Sequence, residues 1–136
     1  MTFASTFIVT DSAAASGTTL TYNIRLPWYR SLPLSSVSAL RVEVDGEPVA
    51  TERIRVHLNG RDLAVSEFAP LWQEYWFIQD QATVQVSGVQ IAPGGAATVR
   101  TAIELRSPYI MVAPDTPLVT LTDVTADLDV KEVNAA

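Results

Sequence analysis

The chain has 136 residues, a formal charge of −6 and 48% hydrophobic residues, enough to bury a core and too apolar to stay disordered. Its acidity, with a pI near 4.6, argues against the clustered Lys and Arg that hold nucleic acid or anionic membranes. The lack of cysteine excludes disulfides, thiolate nucleophiles and Cys-ligated zinc.

Met1-Thr2-Phe3-Ala4-Ser5 has no basic region followed by an apolar run, and no segment is apolar for long enough to span a bilayer, so a cytoplasmic protein is expected. Asp11 to Gly17 reads as a flexible loop. From there the dominant period is two. Leu20, Tyr22, Ile24 and Leu26 alternate with Thr21, Asn23 and Arg25, placing apolar side chains on one face of a strand. Leu40, Val42 and Val44 repeat the pattern, and Asp45-Gly46 turns the chain into a hairpin partner over Glu47 to Ala50. Ile54, Val56 and Leu58 follow, then Asn59-Gly60 and a return over Asp62 to Val65. A short helical turn is expected near Glu67 to Trp72, limited by Pro70.

Ala82, Val84 and Val86 form the next strand, Pro93-Gly94-Gly95 a turn, and Val99, Thr101, Ile103 and Leu105 another strand. Pro114 and Pro117 remove ladder donors from Ile110 to Thr122, which is expected as an edge strand or an extended arm. Val124, Ala126, Leu128 and Val130 make the last strand, with Asp127, Asp129 and Lys131 toward water, and residues 132–136 a frayed tail. Many short alternating strands with turn residues between them predict an all-β fold, a single-domain antiparallel β-sandwich over residues 1–136.

Catalytic equipment is sparse. His57, the one imidazole, sits among Arg53 and Arg55 with no nucleophile motif beside it, so the plainer assignment is a solvent-facing residue near a turn. Asp123, Asp127, Asp129 and Glu132 form the one acidic cluster. It suits a hard cation or, more plainly, the hydrated face of an edge strand. The aromatic groups say more. Trp28 with Tyr29, and Trp72, Tyr75, Trp76 and Phe77, contain all three tryptophans. Trp76 or Phe77 suits the core, but neighbours on a strand alternate faces, so at least one of each adjacent pair points outward. Exposed aromatics beside Arg30 suit a protein interface or a platform for sugar rings and flat ligands, and Pro27 and Pro33 lower the ordering cost.

In order along the chain, Arg25-Leu26-Pro27-Trp28-Tyr29-Arg30-Ser31-Leu32-Pro33-Leu34-Ser35, Val44-Asp45-Gly46-Glu47, Tyr75-Trp76-Phe77 and Arg106-Ser107-Pro108-Tyr109 resemble the small β subunit of bacterial C-glycoside deglycosidases. Two places depart from that pattern. Ser31 stands where a glycine follows the arginine, which alters the turn, and Pro93-Gly94-Gly95-Ala96 replaces a glycine-histidine pair, which speaks against a polar role for that loop. The resemblance implies a noncatalytic chain with no cofactor of its own. It implies assembly with a larger catalytic α subunit, a TIM-type barrel resembling sugar-phosphate isomerases and carrying a divalent metal, Mn or Mg. The implied reaction cleaves the carbon-carbon bond between a 3-oxo sugar and an aromatic aglycone, with the metal stabilising an enolate oxygen. On this basis Trp28, Tyr29 and Arg30 are expected against the α subunit near its active-site mouth, with Trp72 and Tyr109 as further contacts. A carbohydrate-binding sandwich and a self-assembling structural sandwich are the alternatives.

Overall fold

The structure, a computed structural model, describes residues 4–16, 18–28, 30–89, 95–114 and 116–132, with side chains for all of these except 4–5, 107–112, 117 and 132. One helical turn, α1 (Ala4–Phe7), precedes β1 (Ile8–Ser16), β2 (Thr19–Arg25), β3 (Leu32–Pro33), β4 (Val37–Val44) and β5 (Glu47–Pro48). Then come β6 (Ile54–Leu58), β7 (Arg61–Ala64), β8 (Tyr75–Trp76), β9 (Gln81–Ser87), β10 (Ala96–Ala113), β11 (Thr116–Asp129) and β12 (Lys131–Glu132). Six strands form one sheet in the order β12-β1-β2-β9-β6-β7, and four form the other in the order β11-β10-β4-β5. A small ribbon pairs β3 with β8. Every pairing is antiparallel except β1 with β12.

Period-two apolar sets become the facing layers of the sandwich. In the larger sheet Leu20, Tyr22 and Ile24 lie opposite Val86, Val84 and Ala82, while Ile54 and Val56 flank the same β9 residues from the other side. In the smaller sheet Val99, Thr101 and Ile103 lie opposite Val44, Val42 and Leu40. All are buried and belong to one core, apart from the polar Thr101, which is also fully buried. A hydrogen bond of 2.7 Å between the Tyr22 hydroxyl and Thr101 Oγ1 ties sheet to sheet. Burial pushes the Tyr22 phenol pKa far up, against the smaller lowering effect of this bond.

Two turn dipeptides behave as their sequence requires. Asp45 and Gly46 between β4 and β5, and Asn59 and Gly60 between β6 and β7, all have positive φ. The β4–β5 return is shorter than expected, ending at Pro48, and a 3-10 turn over Thr51–Arg53 leads into β6. The helical turn expected near Glu67 to Trp72 falls earlier, as a 3-10 turn over Val65–Glu67.

Two expectations need correction. Asp11 to Ser16 are not loop but the second half of β1; Gly17 lies outside the described residues. Pairing slips from Val9↔Asn23 to Ala14↔Thr21, so a bulge interrupts the alternation that would reveal a strand. Ser12 stitches the bulge, its Oγ donating to the Val9 carbonyl at 2.6 Å and accepting from the Asn23 N–H at 2.8 Å. The turn expected at Pro93-Gly94-Gly95 falls on residues 90–94, which lie outside the described residues, and on Gly95. At the C-terminus Lys131 and Glu132 pair with Ala14 and Ala15, and 133–136 lie outside the described residues. The segment Ile110 to Thr122 splits between the end of β10 and the start of β11, and β11 is the edge of its sheet.

Candidate interaction face

The two aromatic segments meet at the β3–β8 ribbon, where Leu32 lies opposite Trp76 and Pro33 opposite Tyr75. Its inner side is core: Leu32, Leu34, Phe68 and Trp76 are buried, and Trp28 and Leu71 are half-buried against them. Backbone bonds continue beyond the Pro33–Tyr75 end of the ribbon, Leu34 N–H to the Glu74 carbonyl at 2.8 Å and Ser35 N–H to the Leu71 carbonyl at 3.1 Å. The Asn59 side-chain amide, presented by the β6–β7 turn, donates to the Tyr75 carbonyl at 2.8 Å.

Beyond β8 the chain makes a tight turn. Asp80 N–H donates to the Phe77 carbonyl and the Trp76 indole N–H to the Asp80 carbonyl, each at 2.9 Å. Ile78 N–H donates to Ser31 Oγ at 2.8 Å, which joins this turn to the Trp28–Ser31 segment. Ser31, the departure from the glycine of the resembled pattern, is therefore a working acceptor. With Trp76 turned inward, period two throws Tyr75 and Phe77 outward, their rings stacked at 6.2 Å with planes 25° apart. Trp72 is 66% exposed, Phe77 54%, Ile78 44% and Tyr75 42%. Ser31, Phe77, Ile78, Gln79 and Asp80 line a shallow concavity of about 320 Å³. Just before β8, Arg61 holds Glu74 Oε1 at 2.5 Å, while Glu74 Oε2 is buried with no hydrogen-bond partner.

Of the five residues expected at an interface, Trp72 is fully presented and Arg30 is exposed. Trp28 is shared between surface and core, so it supports the fold as well as the face. Tyr29 and the side chain of Tyr109 lie outside the described residues; the backbone of 109 is part of β10. Tyr75, Phe77 and Ile78 were not singled out from sequence as surface contacts. The available signal was alternation around Trp76.

A second concavity, about 500 Å³, lies on the outer face of the smaller sheet and is lined by Arg41, Glu43, Val49, Arg100, Leu121 and Asp123, among others. Arg100 is clamped there, reaching Asp123 at 2.7 Å and Glu43 at 3.1 Å. The hydrogen bond from Arg100 holds the Asp123 carboxyl below the usual carboxylate range. Asp127 accepts from the Thr98 hydroxyl at 2.7 Å. Asp123 and Asp127 are thus engaged by neighbours, and among the described residues no group of three or more His, Cys, Asp or Glu converges as a ligand set. His57 is exposed between Thr83 and Asp62 in the register of the larger sheet. No helix among the described residues is long and apolar enough to cross a membrane.

The chain is 37% identical over 133 residues to the 3'-dehydrocarminate deglycosidase beta subunit of a Microbacterium species, covering 98% of this chain and 99% of that one. It is 32% identical over 93 residues to a C-glycoside deglycosidase beta subunit of Arthrobacter globiformis, covering 68% and 70%. A third, from Microbacterium trichothecenolyticum and of the same name, is 30% identical over 90 residues, covering 66% and 68%. Residues 8–109, from the start of β1 to Tyr109, match the C-glycoside deglycosidase beta subunit family, and the chain belongs to that family.

Proposed function

We propose that this chain is the noncatalytic β subunit of a heteromeric C-glycoside deglycosidase, and that its β3–β8 face docks on the catalytic α subunit at the active-site mouth. The observation that carries the reading is the run of exposed Trp72, Tyr75, Phe77 and Ile78, with Tyr75 stacked on Phe77, along a segment held to the body by Ser31, Asn59 and the Trp76 indole. Large exposed aromatics on a rigid support are the usual anchors of protein interfaces, because little side-chain freedom is lost on binding. Arg30, next to Ser31 in the chain, is exposed.

The reaction assigned to the whole complex is an elimination. A 3-oxo group acidifies the sugar C2 proton; a base removes it, the electron pair forms the C1–C2 double bond, and the C1–aglycone bond breaks. The aglycone carbon takes up a proton. The acid–base groups and any divalent metal are proposed for an α subunit of TIM-barrel type. The surroundings are proposed to be cytoplasmic.

Co-expression with the neighbouring catalytic chain, purification through a tag on this one, and assay of aglycone release from 3-oxo C-glycosides test the reading. A stoichiometric, active complex is expected, and Phe77→Ala and Trp72→Ala are expected to weaken it at least tenfold, about 1.4 kcal/mol, with unchanged thermal stability of the isolated chain. A chain that elutes alone and inert, or that binds free sugars on this platform, overturns it in favour of a carbohydrate-binding sandwich.

A further inference from the structure

The β6–β7 turn is an Asn59-Gly60 pair, both residues exposed and both at positive φ, +57° and +72°. It does more than reverse the chain. The Asn59 side-chain Nδ2 reaches across to donate to the Tyr75 carbonyl at 2.8 Å, so the turn holds β8 against the larger sheet. Gly60 stands in the open, with no heavy atom within 4 Å of where a Cβ would lie. A glycine after an asparagine leaves its backbone nitrogen unshielded by any side chain and its backbone free to rotate, which is the setting in which an asparagine amide is most easily lost. Asn23, the other described asparagine, is the contrast. It lies inside β2 with the β-branched Ile24 after it, and its side chain is bonded to both Gln81 and Thr83.

We infer that Asn59 is a site of spontaneous modification, deamidation through a cyclic imide, and that the reaction releases β8 from the turn. The Gly60 backbone nitrogen attacks Asn59 Cγ. The new N–Cγ bond forms, the Cγ–Nδ2 bond breaks, and the amide leaves as ammonia, taking the Gly60 amide proton. Water then opens the imide at either carbonyl, giving aspartate or, with the chain rerouted through the side-chain carbonyl carbon, isoaspartate. Both products put a carboxylate where the donor stood, and a carboxylate cannot bond the Tyr75 carbonyl. Isoaspartate also lengthens the backbone of a two-residue turn, whose length sets the hairpin register. Ring closure needs the side-chain amide free of Tyr75, so the same hydrogen bond delays the reaction and is destroyed by it. The segment that loses its tie presents Trp72, Tyr75, Phe77 and Ile78, and a looser platform costs more to order on binding. Only this last consequence rests on the function proposed above.

The full-length chain, without any partner, provides the test. Aged in mildly alkaline buffer and digested, the peptide spanning Asn59-Gly60 is expected to gain the mass of an amide-to-acid change and to accept methyl groups from protein-isoaspartate methyltransferase, while the Asn23 peptide stays unchanged. Asn59→Asp carries one product from the start and keeps an Asp-Gly turn of the same type, so it folds. In that variant hydrogen exchange at the Leu34 and Ile78 amides, which bond the Glu74 carbonyl and Ser31 Oγ, is expected to rise about tenfold, with the ladder amides of β9 unchanged. A folded chain still intact at Asn59 when the urea-unfolded chain has fully converted, modification of Asn23 as fast as of Asn59, or exchange at Leu34 and Ile78 unaltered by Asn59→Asp would overturn the inference. Undiminished assembly of a deamidated chain whose Leu34 and Ile78 amides exchange faster supports the modification and counts against the docking face.

Discussion

Tyr22 and Thr101 show how one polar pair survives in an apolar core: the two hydroxyls bond to each other. Removing one partner strands the other. Tyr22→Phe is expected to cost about 1–3 kcal/mol in urea unfolding, and adding Thr101→Val to return part of that loss, a non-additivity that a double-mutant cycle measures directly. Tyr22 also sets an alkaline limit. Its folded pKa lies above the unfolded value of about 10, so its contribution is complete below that pH and is lost as pH rises beyond it. Thermal melts between about pH 9 and 11 are expected to fall in wild type, with the Tyr22 part of the slope absent from Tyr22→Phe. Asp123 has the opposite sign. Its pKa is lowered, so the Arg100 contact is present at neutral pH and lost as acid protonates the carboxylate. Arg100→Ala is expected to move the Asp123 titration upward by NMR with little change in stability, since solvent screens the pair. From sequence Tyr22 and Thr101 read as members of apolar strand faces, which was right about direction and silent about their bond, because a contact between sheets leaves no mark in local periodicity.

Where strands are regular, their sequences announce them; where a bulge or a crossover intervenes, they do not. β2, β4, β6, β9 and β10 alternate cleanly and were legible, whereas β1 was lost because Ser12 replaces ladder bonds across its bulge. The link after β9 carries its own constraint. Gly88 has φ +75°, and an added Cβ would lie 3.0 Å from Arg53 Nε, which donates to the Ser87 carbonyl at 2.7 Å. Gly88→Ala is therefore expected to destabilise by about 1–2 kcal/mol, read as a lowered denaturation midpoint at constant slope. The β3–β8 element obeys the alternation rule in its own way. Trp76 takes the core position, so Tyr75 and Phe77 are committed to the surface together. Trp28→Ala is expected to lower stability as well as any partner affinity, since the indole also packs on the core.

At the scale of the whole molecule, neighbours in the sheets are distant in the chain: β2 pairs with β9, and β4 with β10. Such pairings must close long loops before they stabilise anything, so refolding is expected in milliseconds to seconds by stopped-flow fluorescence of the buried Trp76, and a single microsecond phase would contradict it. The sequence by itself determined the all-β sandwich, the two glycine turns and the family, because alternation, turn chemistry and the ordered Pro-Trp-Tyr-Arg and Tyr-Trp-Phe blocks are local properties of the chain. Only tertiary structure decided that Ser31 would hold Ile78, that Arg100 would absorb Asp123, and that the Thr120 hydroxyl would be buried. Each of these depends on segments that pairing brings together across tens of residues, and period two specifies which face a side chain takes but not which strand will lie beside it.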